Sequence, residues 1–214
     1  NIARIAERLK IVTVSVGCWS GRHRHDDESR AENARHGTTD EAEVYVYLCK
    51  NSDTLKKIAA LRATVKAWNK LHTKPTIHRG MYFVPLMKEF EHAQKMGEFK
   101  AEYEKLVDQF RMEYPAIKAA APQALKGLNL ASKWPMDIGS KFGFDLNYMS
   151  CPTGKGWDEW LAVSAKAATD ELSENLRKAV EKYAERFASE GKLHKSTIEN
   201  IREILSEIPD FDAD

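Results

Sequence analysis

The clearest candidate for chemistry in this sequence is a basic segment, residues 50–80, where eight lysines and arginines face one aspartate. The segment has a net charge of +7 in a chain whose total is +1, so positive charge is concentrated there. Cations beside an aromatic ring bind the phosphates and stack on the bases of single-stranded nucleic acid. The segment predicts a nucleic-acid-binding face of Lys56, Lys57, Arg62, Lys66, Lys70, Lys74, Arg79 and Trp68. The alternative is an ordinary solvated helix face, because Trp68 also fits an apolar stripe.

A second candidate is the sequence Trp-Ser-Gly-Arg at residues 19–22. Gly21 allows close approach of a backbone, and an arginine such as Arg22 binds oxyanions through two parallel hydrogen bonds. We predict that Trp19 and Arg22 contact an anion or a partner. A tryptophan that ends a strand and covers the edge of the core explains the same pattern.

The C-terminal residues form a third candidate. The chain has no cation after Arg202, and Phe211 stands among acids at residues 210–214. Short acidic segments with one aromatic residue can dock into basic pockets. We predict a partner-binding tail of Asp210, Phe211 and Asp212, with a frayed, solubilising end as the alternative.

Metal and covalent chemistry have weaker support. His23, His25 and His36 lie near Asp26 and Asp27, but their spacing matches no metal-binding motif. The Gly-Lys pair within residues 152–156 lacks the serine or threonine of a phosphate loop, and the serines lie in no nucleophile elbow. The sequence therefore predicts no catalytic residue, no metal and no cofactor. A metal-dependent enzyme using residues 23–36 is a distant third hypothesis.

Length and composition limit the fold classes. The chain has 214 residues, of which 43% are hydrophobic and 30% charged, enough to bury a core in one sizeable domain or two small ones. No apolar run reaches the roughly 18 residues that span a bilayer, so we expect no membrane association. Three cysteines without metal-ligand spacing indicate buried thiols in a reducing compartment.

The first 50 residues read as a small β-containing region. Residues 11–16 and 44–48 are rich in β-branched and aromatic residues, which predicts two short strands that could pair as an antiparallel ribbon. The polar residues 23–40 between them predict a mobile loop or a short exposed helix.

The remaining chain reads as helical, with a helical domain over residues 51–208 and an acidic tail over 209–214. Apolar periodicity predicts helices from residue 52 or 53 to 72, from about 85 to 114, from about 157 to 189 and from about 196 to 208, with a short strand near 142–148. A seam with a 3.5-residue repeat, which includes Phe99, Tyr103, Leu106 and Phe110, is typical of a coiled coil. The expected fold class is mainly α (α+β), a long antiparallel helical hairpin with a small N-terminal β ribbon.

Several motifs in order resemble one known family. They are residues 12–16 followed by 19–22, the junction 80–85, the aromatic ladder Phe99, Tyr103, Val107, Phe110 and Tyr114, and residues 142–152 before a long amphipathic helix. This order resembles an uncharacterised family of bacteriophages and integrative mobile elements, a domain of unknown function. The resemblance implies a mostly helical protein of phage or mobile-element origin, in a bacterial cytoplasm or a virion. It also implies MoxR-type AAA ATPase genes as neighbours, and it supplies no catalytic residues.

These observations favour a non-enzymatic protein that self-associates and contacts nucleic-acid phosphate in DNA transactions. The expected partners are a second copy of the chain, single-stranded DNA, and an AAA ATPase or other phage proteins. The alternative is a structural or assembly component, a virion part or an ATPase adaptor, that does not bind nucleic acid.

Overall fold

The fold is mainly α with a small antiparallel sheet. A computed structural model describes residues 2–39, 41–124, 133–190 and 195–211. Its helices are α1 (Ile2–Arg8), α2 (Asp26–His36), α3 (Asp53–His72), α4 (Glu89–Ala124), α5 (Trp157–Glu190) and α6 (Lys195–Phe211). Its strands are β1 (Leu9–Gly17), β2 (Arg22–Arg24), β3 (Tyr45–Tyr47), β4 (Lys74–Pro75), β5 (Met81–Pro85) and β6 (Gly143–Ser150).

The main sheet has the strand order β4-β5-β1-β6, with β1 in a central position. Leu9 of β1 lies opposite Pro85 of β5, and Thr13 lies opposite Met81, in an antiparallel register. The predicted pairing of residues 11–16 with 44–48 is therefore wrong. Nothing in the local pattern of β1 shows that its partners come from much later in the chain, because periodicity reports burial and not pairing.

Strand β3 instead pairs with β2, so the first 50 residues do contain a short ribbon. Between these strands, the polar residues form helix α2, one of the two predicted alternatives. His25 caps α2 by accepting a hydrogen bond from the Glu28 N–H, and Gly37 ends the helix at φ 68°. Asn33 is buried, and its Oδ1 accepts the Ala42 N–H at 2.7 Å. Hydrogen bonds thus hold a segment that has few apolar side chains.

Helix α3 agrees with the sequence prediction, whereas α4 differs from it. Ser52 caps α3 by accepting the Leu55 N–H at 3.2 Å. The predicted start of α4 at Val84–Pro85 is wrong, because both residues are buried in β5. A 3₁₀ turn at Leu86–Lys88 precedes α4, which continues through Pro115 to Ala124. The strong helix formers that follow Pro115, several of them alanines, favour this continuation.

Helix α5 matches its predicted bounds within one residue, and α6 is longer than predicted. Helix α6 packs along α5 and extends through Pro209 to Phe211, so the predicted tail boundary at residue 209 is wrong. The Phe211 ring is 2% exposed and lies 6.0 Å from the Phe83 ring. Burial of this ring stabilises the last turn and offsets the helix-breaking effect of Pro209.

The chain forms two compact units rather than domains divided at residue 51. Unit 1 comprises residues 1–15, 67–96 and 145–214, and unit 2 comprises 16–66 and 97–144. The unit 1 core joins Leu9, Phe83, Leu161, Leu172 and Phe211 with their apolar neighbours. The predicted division fails because β1 belongs with later segments of the chain.

In unit 2, the predicted 3.5-residue seam of α4 is buried at Phe99, Tyr103 and Phe110 and half-buried at Leu106. Tyr103 contacts Phe144, Phe110 contacts Phe142, and Tyr114 contacts Trp134, with ring centroids 5.6–5.8 Å apart. The seam is thus covered by aromatic side chains of its own unit, and it is not left open for a second copy of the chain.

Candidate functional site

The basic helix face is the first part of the site. After Asp53, α3 contains no acidic residue, and Lys56, Lys57, Lys66 and Lys70 are all exposed. Lys56 pairs with Asp53 at 2.9 Å, which offsets part of its charge. The spacing of Lys66 and Lys70 places them one turn apart on the same side of the helix. The expected exposure of Lys66 and Lys70 is therefore confirmed, and the contact of these lysines with nucleic acid stays a prediction.

Arg62 differs from the lysines because its side chain is partly buried within unit 2. The residue is half-buried, and its Nε is buried without a hydrogen-bond partner among the described residues. Burial raises the pKa of the Cys18 thiol, and the nearby Arg62 charge lowers that pKa in part. Arg62 is thus a poor candidate for contact with a ligand on the exposed face.

Trp68 and His72 form a stacked pair at the C-terminal end of α3. Their ring centroids are 4.1 Å apart with an interplanar angle of 16°, and the His72 Nδ1 lies 2.8 Å from the Trp68 carbonyl oxygen. Trp68 is half-buried, whereas His72 is exposed. The exposed aromatic residue at this end of α3 is therefore His72 and not Trp68, which corrects the predicted role of Trp68 as the stacking surface.

A buried polar network around His92 packs against Trp68 of this pair. The His92 ring on α4 lies 5.1 Å from the Trp68 ring, and its Nε2 lies 3.1 Å from Asn69 Oδ1. The Nδ1 atom of His92 lies 2.6 Å from the Tyr148 hydroxyl on β6. Burial lowers the pKa of His92 to about 4, with a smaller contribution from the His72 charge, and burial raises the pKa of Tyr148 to about 12. Both groups are therefore neutral near pH 7.

A groove in unit 1 adjoins the same end of α3, with a volume of about 550 Å³. Its polar lining comprises His72, Lys74, Lys88, Asn175, Lys178, Lys182, Asn200 and Glu203. Four lysines thus face one glutamate, which lies 3.5 Å from the Lys88 ammonium. The excess of positive charge in a concave surface attracts anions.

Of these groove lysines, sequence reasoning identified only Lys74. Lys88 follows β5, and Lys178 and Lys182 belong to α5. Nothing in the sequence distinguishes these three lysines from other surface lysines, because only the packing of unit 1 brings them together in one groove. Arg79, the remaining predicted cation, is exposed in the turn before β5 and is not among the residues that line the groove.

Trp19 and Arg22 are held by contacts within unit 2. The half-buried Trp19 ring lies 6.4 Å from Phe110 and 6.1 Å from Tyr114. The Arg22 guanidinium lies 3.3 Å from the centre of the Tyr45 ring. Trp19 thus packs at the edge of the aromatic core, as in the alternative interpretation, and Arg22 stabilises the ribbon.

The predicted partner-binding tail is not an extended segment. Its aromatic residue, Phe211, is buried in the unit 1 core, which contradicts its predicted role in docking. Asp212 lies outside the described residues, as does the side chain of Asp210.

The histidines near α2 serve local structure. His25 caps the helix, and the His36 Nε2 lies 3.1 Å from a Glu32 carboxylate oxygen. Within residues 2–39, 41–124, 133–190 and 195–211, no group of three or more His, Cys, Asp or Glu side chains could hold a metal ion.

The Gly-Lys loop before α5 is occupied by the chain itself. The Gly154 N–H donates to the Asp158 carboxylate at 3.0 Å, so a carboxylate lies where a phosphate loop would bind its ligand. The cysteines offer no activated nucleophile either, since burial raises the pKa of Cys49 and of Cys151 to about 11.

Comparisons with known proteins identify no family for this chain. No protein-family model, no curated protein and no solved structure matches it. Among the helices of the described part of the chain, none is long and apolar enough to cross a membrane.

Proposed function

We propose that this protein is a non-enzymatic binding protein whose basic surface contacts nucleic-acid phosphate in DNA transactions. The observation that supports the proposal is the exposed side of α3, where Lys66 and Lys70 are solvent-accessible one turn apart and no acidic residue follows Asp53 in the helix. Phosphate binding by lysines releases counterions, so such a surface binds polyanions without needing a precise pocket.

The test is the affinity of the whole chain for a fluorescently labelled single-stranded oligonucleotide, measured by anisotropy at several salt concentrations. We expect binding that weakens as salt rises, with a log–log slope of about −0.7 for each phosphate contacted. The variant Lys66→Glu with Lys70→Glu reverses two exposed charges on α3. It should lower the affinity at least tenfold and leave the circular dichroism spectrum unchanged, since surface changes of this kind rarely unfold a protein.

A matched control reverses two exposed lysines elsewhere, Lys105→Glu with Lys118→Glu on α4. Both double variants change the net charge equally, so a loss confined to the α3 variant would assign binding to that helix. Equal losses would indicate only a net-charge effect, and binding unaffected by either variant would overturn the proposal. The proposal would also be overturned if the wild-type protein does not bind the oligonucleotide at low salt.

The second candidate function is a structural or assembly component, a virion part or an adaptor of an AAA ATPase. It is favoured by three apolar side chains exposed within five consecutive residues: Leu86 at 45%, Met87 at 92% and Phe90 at 80%. Clustered apolar exposure is typical of protein-binding surfaces. Origin in a phage or mobile element would suit both candidates, and the antiparallel pairing of the two long helices, α4 and α5, stays a prediction.

Light scattering separates the two candidates. Assembly through this surface would be supported if the wild-type protein is an oligomer that does not bind DNA and the Phe90→Ser variant is a monomer. The exposed Met136, in unit 2, provides the matched control as Met136→Ser. A monomeric wild-type protein would contradict self-association.

A further inference from the structure

We infer that the unit 1 groove is a binding site for a single-stranded segment of nucleic acid, with phosphates on its lysines and an unpaired base stacked on His72. This inference rests on the proposed function and deepens it. The proposed function needs only the exposed face of α3, whereas the groove would define which form of nucleic acid is bound.

The charge of the groove supports an anionic ligand. The lining contains four lysines and one glutamate, Glu203, which pairs with Lys88, so positive charge exceeds negative charge in the groove. Lys178 also lies 3.3 Å from Glu174, but that carboxylate is shared with Arg177 at 2.7 Å. Lys178 and Lys182 are one turn apart on α5, where like charges repel each other. A phosphate between them would relieve this repulsion.

The His72 ring supports a base as the second part of the ligand. One face of the imidazole stacks on Trp68, and His72 is exposed where it lines the groove. Because Trp68 lies against His92, and His92 is held by Asn69 and Tyr148, the ring is fixed before a ligand arrives. Stacking on a ring that is already ordered costs little conformational entropy. The amides of Asn175 and Asn200 add donors and acceptors for base edges or sugar hydroxyls.

The size of the groove favours a single strand over a duplex. A volume of about 550 Å³ falls in the range of sites that hold small organic ligands, and it would accommodate a nucleotide or two. In a duplex the bases are paired and stacked on one another, so only the backbone is offered to a shallow surface. A single strand can place both a phosphate and an unstacked base in the groove.

The test compares groove variants with matched controls in the oligonucleotide assay. Lys178→Glu with Lys182→Glu reverses two groove charges, and Lys166→Glu with Arg186→Glu reverses two exposed charges of α5 that do not line the groove. We expect the groove variant to lose at least tenfold in affinity for the single strand, and the control variant to lose much less. Thermal melts of all variants establish that they are folded.

His72→Ala tests the base, and His78→Ala is its control. His78 is also exposed and stacked on an indole, that of Trp160 at 5.8 Å, but it is not among the residues that line the groove. The wild-type protein should bind a normal oligonucleotide at least fivefold more tightly than an abasic one of the same length. His72→Ala should remove this difference, while His78→Ala should retain it.

The outcomes separate the inference from the proposed function. If the α3 variant loses binding while the groove and His72 variants bind as the wild-type protein does, the inference is overturned and the proposed function stands. Preference for duplex over single strand would also overturn the inference. A wild-type protein that binds no nucleic acid would overturn both.

Discussion

The Tyr148 hydroxyl lies 2.6 Å from Nδ1 of His92, and this bond joins β6 to α4 inside unit 1. The opposite nitrogen, Nε2, lies 3.1 Å from Asn69 Oδ1, an acceptor. Nε2 must therefore carry the proton and donate to Asn69, which leaves Nδ1 to accept the Tyr148 hydroxyl proton. Both nitrogens of the neutral ring are satisfied, and protonation of Nδ1 would break the bond to Tyr148.

We predict that His92 makes the stability of the protein fall as the pH falls. Its pKa is about 4 in the folded protein, against 6.5 in an unfolded chain. Above about pH 6.5 the ring is neutral in both states, whereas between the two values the unfolded chain binds a proton that the folded protein excludes. The free energy of unfolding should therefore drop by about 2 kcal/mol between about pH 7.5 and about pH 5 from this group alone. Urea titrations at the two pH values measure the change.

His92→Gln provides the comparison that isolates this group. The variant should be less stable than the wild-type protein at neutral pH, because the Tyr148 bond is lost, but it should lose less stability on acidification. His78→Ala changes an exposed histidine and should keep the wild-type pH dependence. Identical pH dependence in wild type and His92→Gln would show that His92 is not the responsible group.

A second prediction concerns the hydroxyl of Tyr103 in unit 2. It donates to the Gly17 carbonyl at 2.6 Å and accepts the Gly143 N–H at 3.0 Å, so it bridges the ends of β1 and β6. Tyr103→Phe leaves both backbone groups, which are part-buried, without this partner, and this should cost on the order of 1–3 kcal/mol of unfolding free energy. Chemical denaturation of the variant at neutral pH gives the value.

Tyr183→Phe is the control for that measurement. Among the described residues the Tyr183 hydroxyl has no hydrogen-bond partner, and the residue is only half-buried on α5. Loss of the Tyr183 hydroxyl should change the free energy of unfolding by less than about 0.5 kcal/mol. A cost for Tyr103→Phe no greater than that of the control would mean that the two glycine backbone groups are satisfied without Tyr103.

The sequence predicted the helices better than the sheet. Apolar spacing and a capping serine define α3, and a long amphipathic stripe defines α5, because these signals are local to each helix. The pairing of β1 with β5 depends on residues about 70 positions apart, and nothing local reports it. The end of β5 shows the ambiguity: Val84–Pro85 fits the first turn of a helix as well as the end of a strand.

The candidate site was predictable in part for the same reason. Lys66 and Lys70 lie on one helix, so their shared exposed face follows from spacing alone. The groove combines Lys74, Lys88, Lys178 and Lys182 from different elements, and only the tertiary packing of unit 1 brings them together. The exposure of His72 depends on Trp68 being the ring that packs inward, and this cannot be read from the spacing of the two residues alone.

The last prediction tests whether Phe211 belongs to the core or to a docking tail. The ring is 2% exposed against Phe83, so Phe211→Ala should leave a cavity and cost about 3–5 kcal/mol of unfolding free energy. Phe187, on α5 and 49% exposed, is the matched control. Phe187→Ala should cost much less unfolding free energy, because folding removes much less of this side chain from water. Thermal and urea denaturation of both variants measures the difference. If both variants lost equally little unfolding free energy, the Phe211 ring would not be packed in the core in solution. The prediction that residues 210–212 form a partner-binding tail would then stand again.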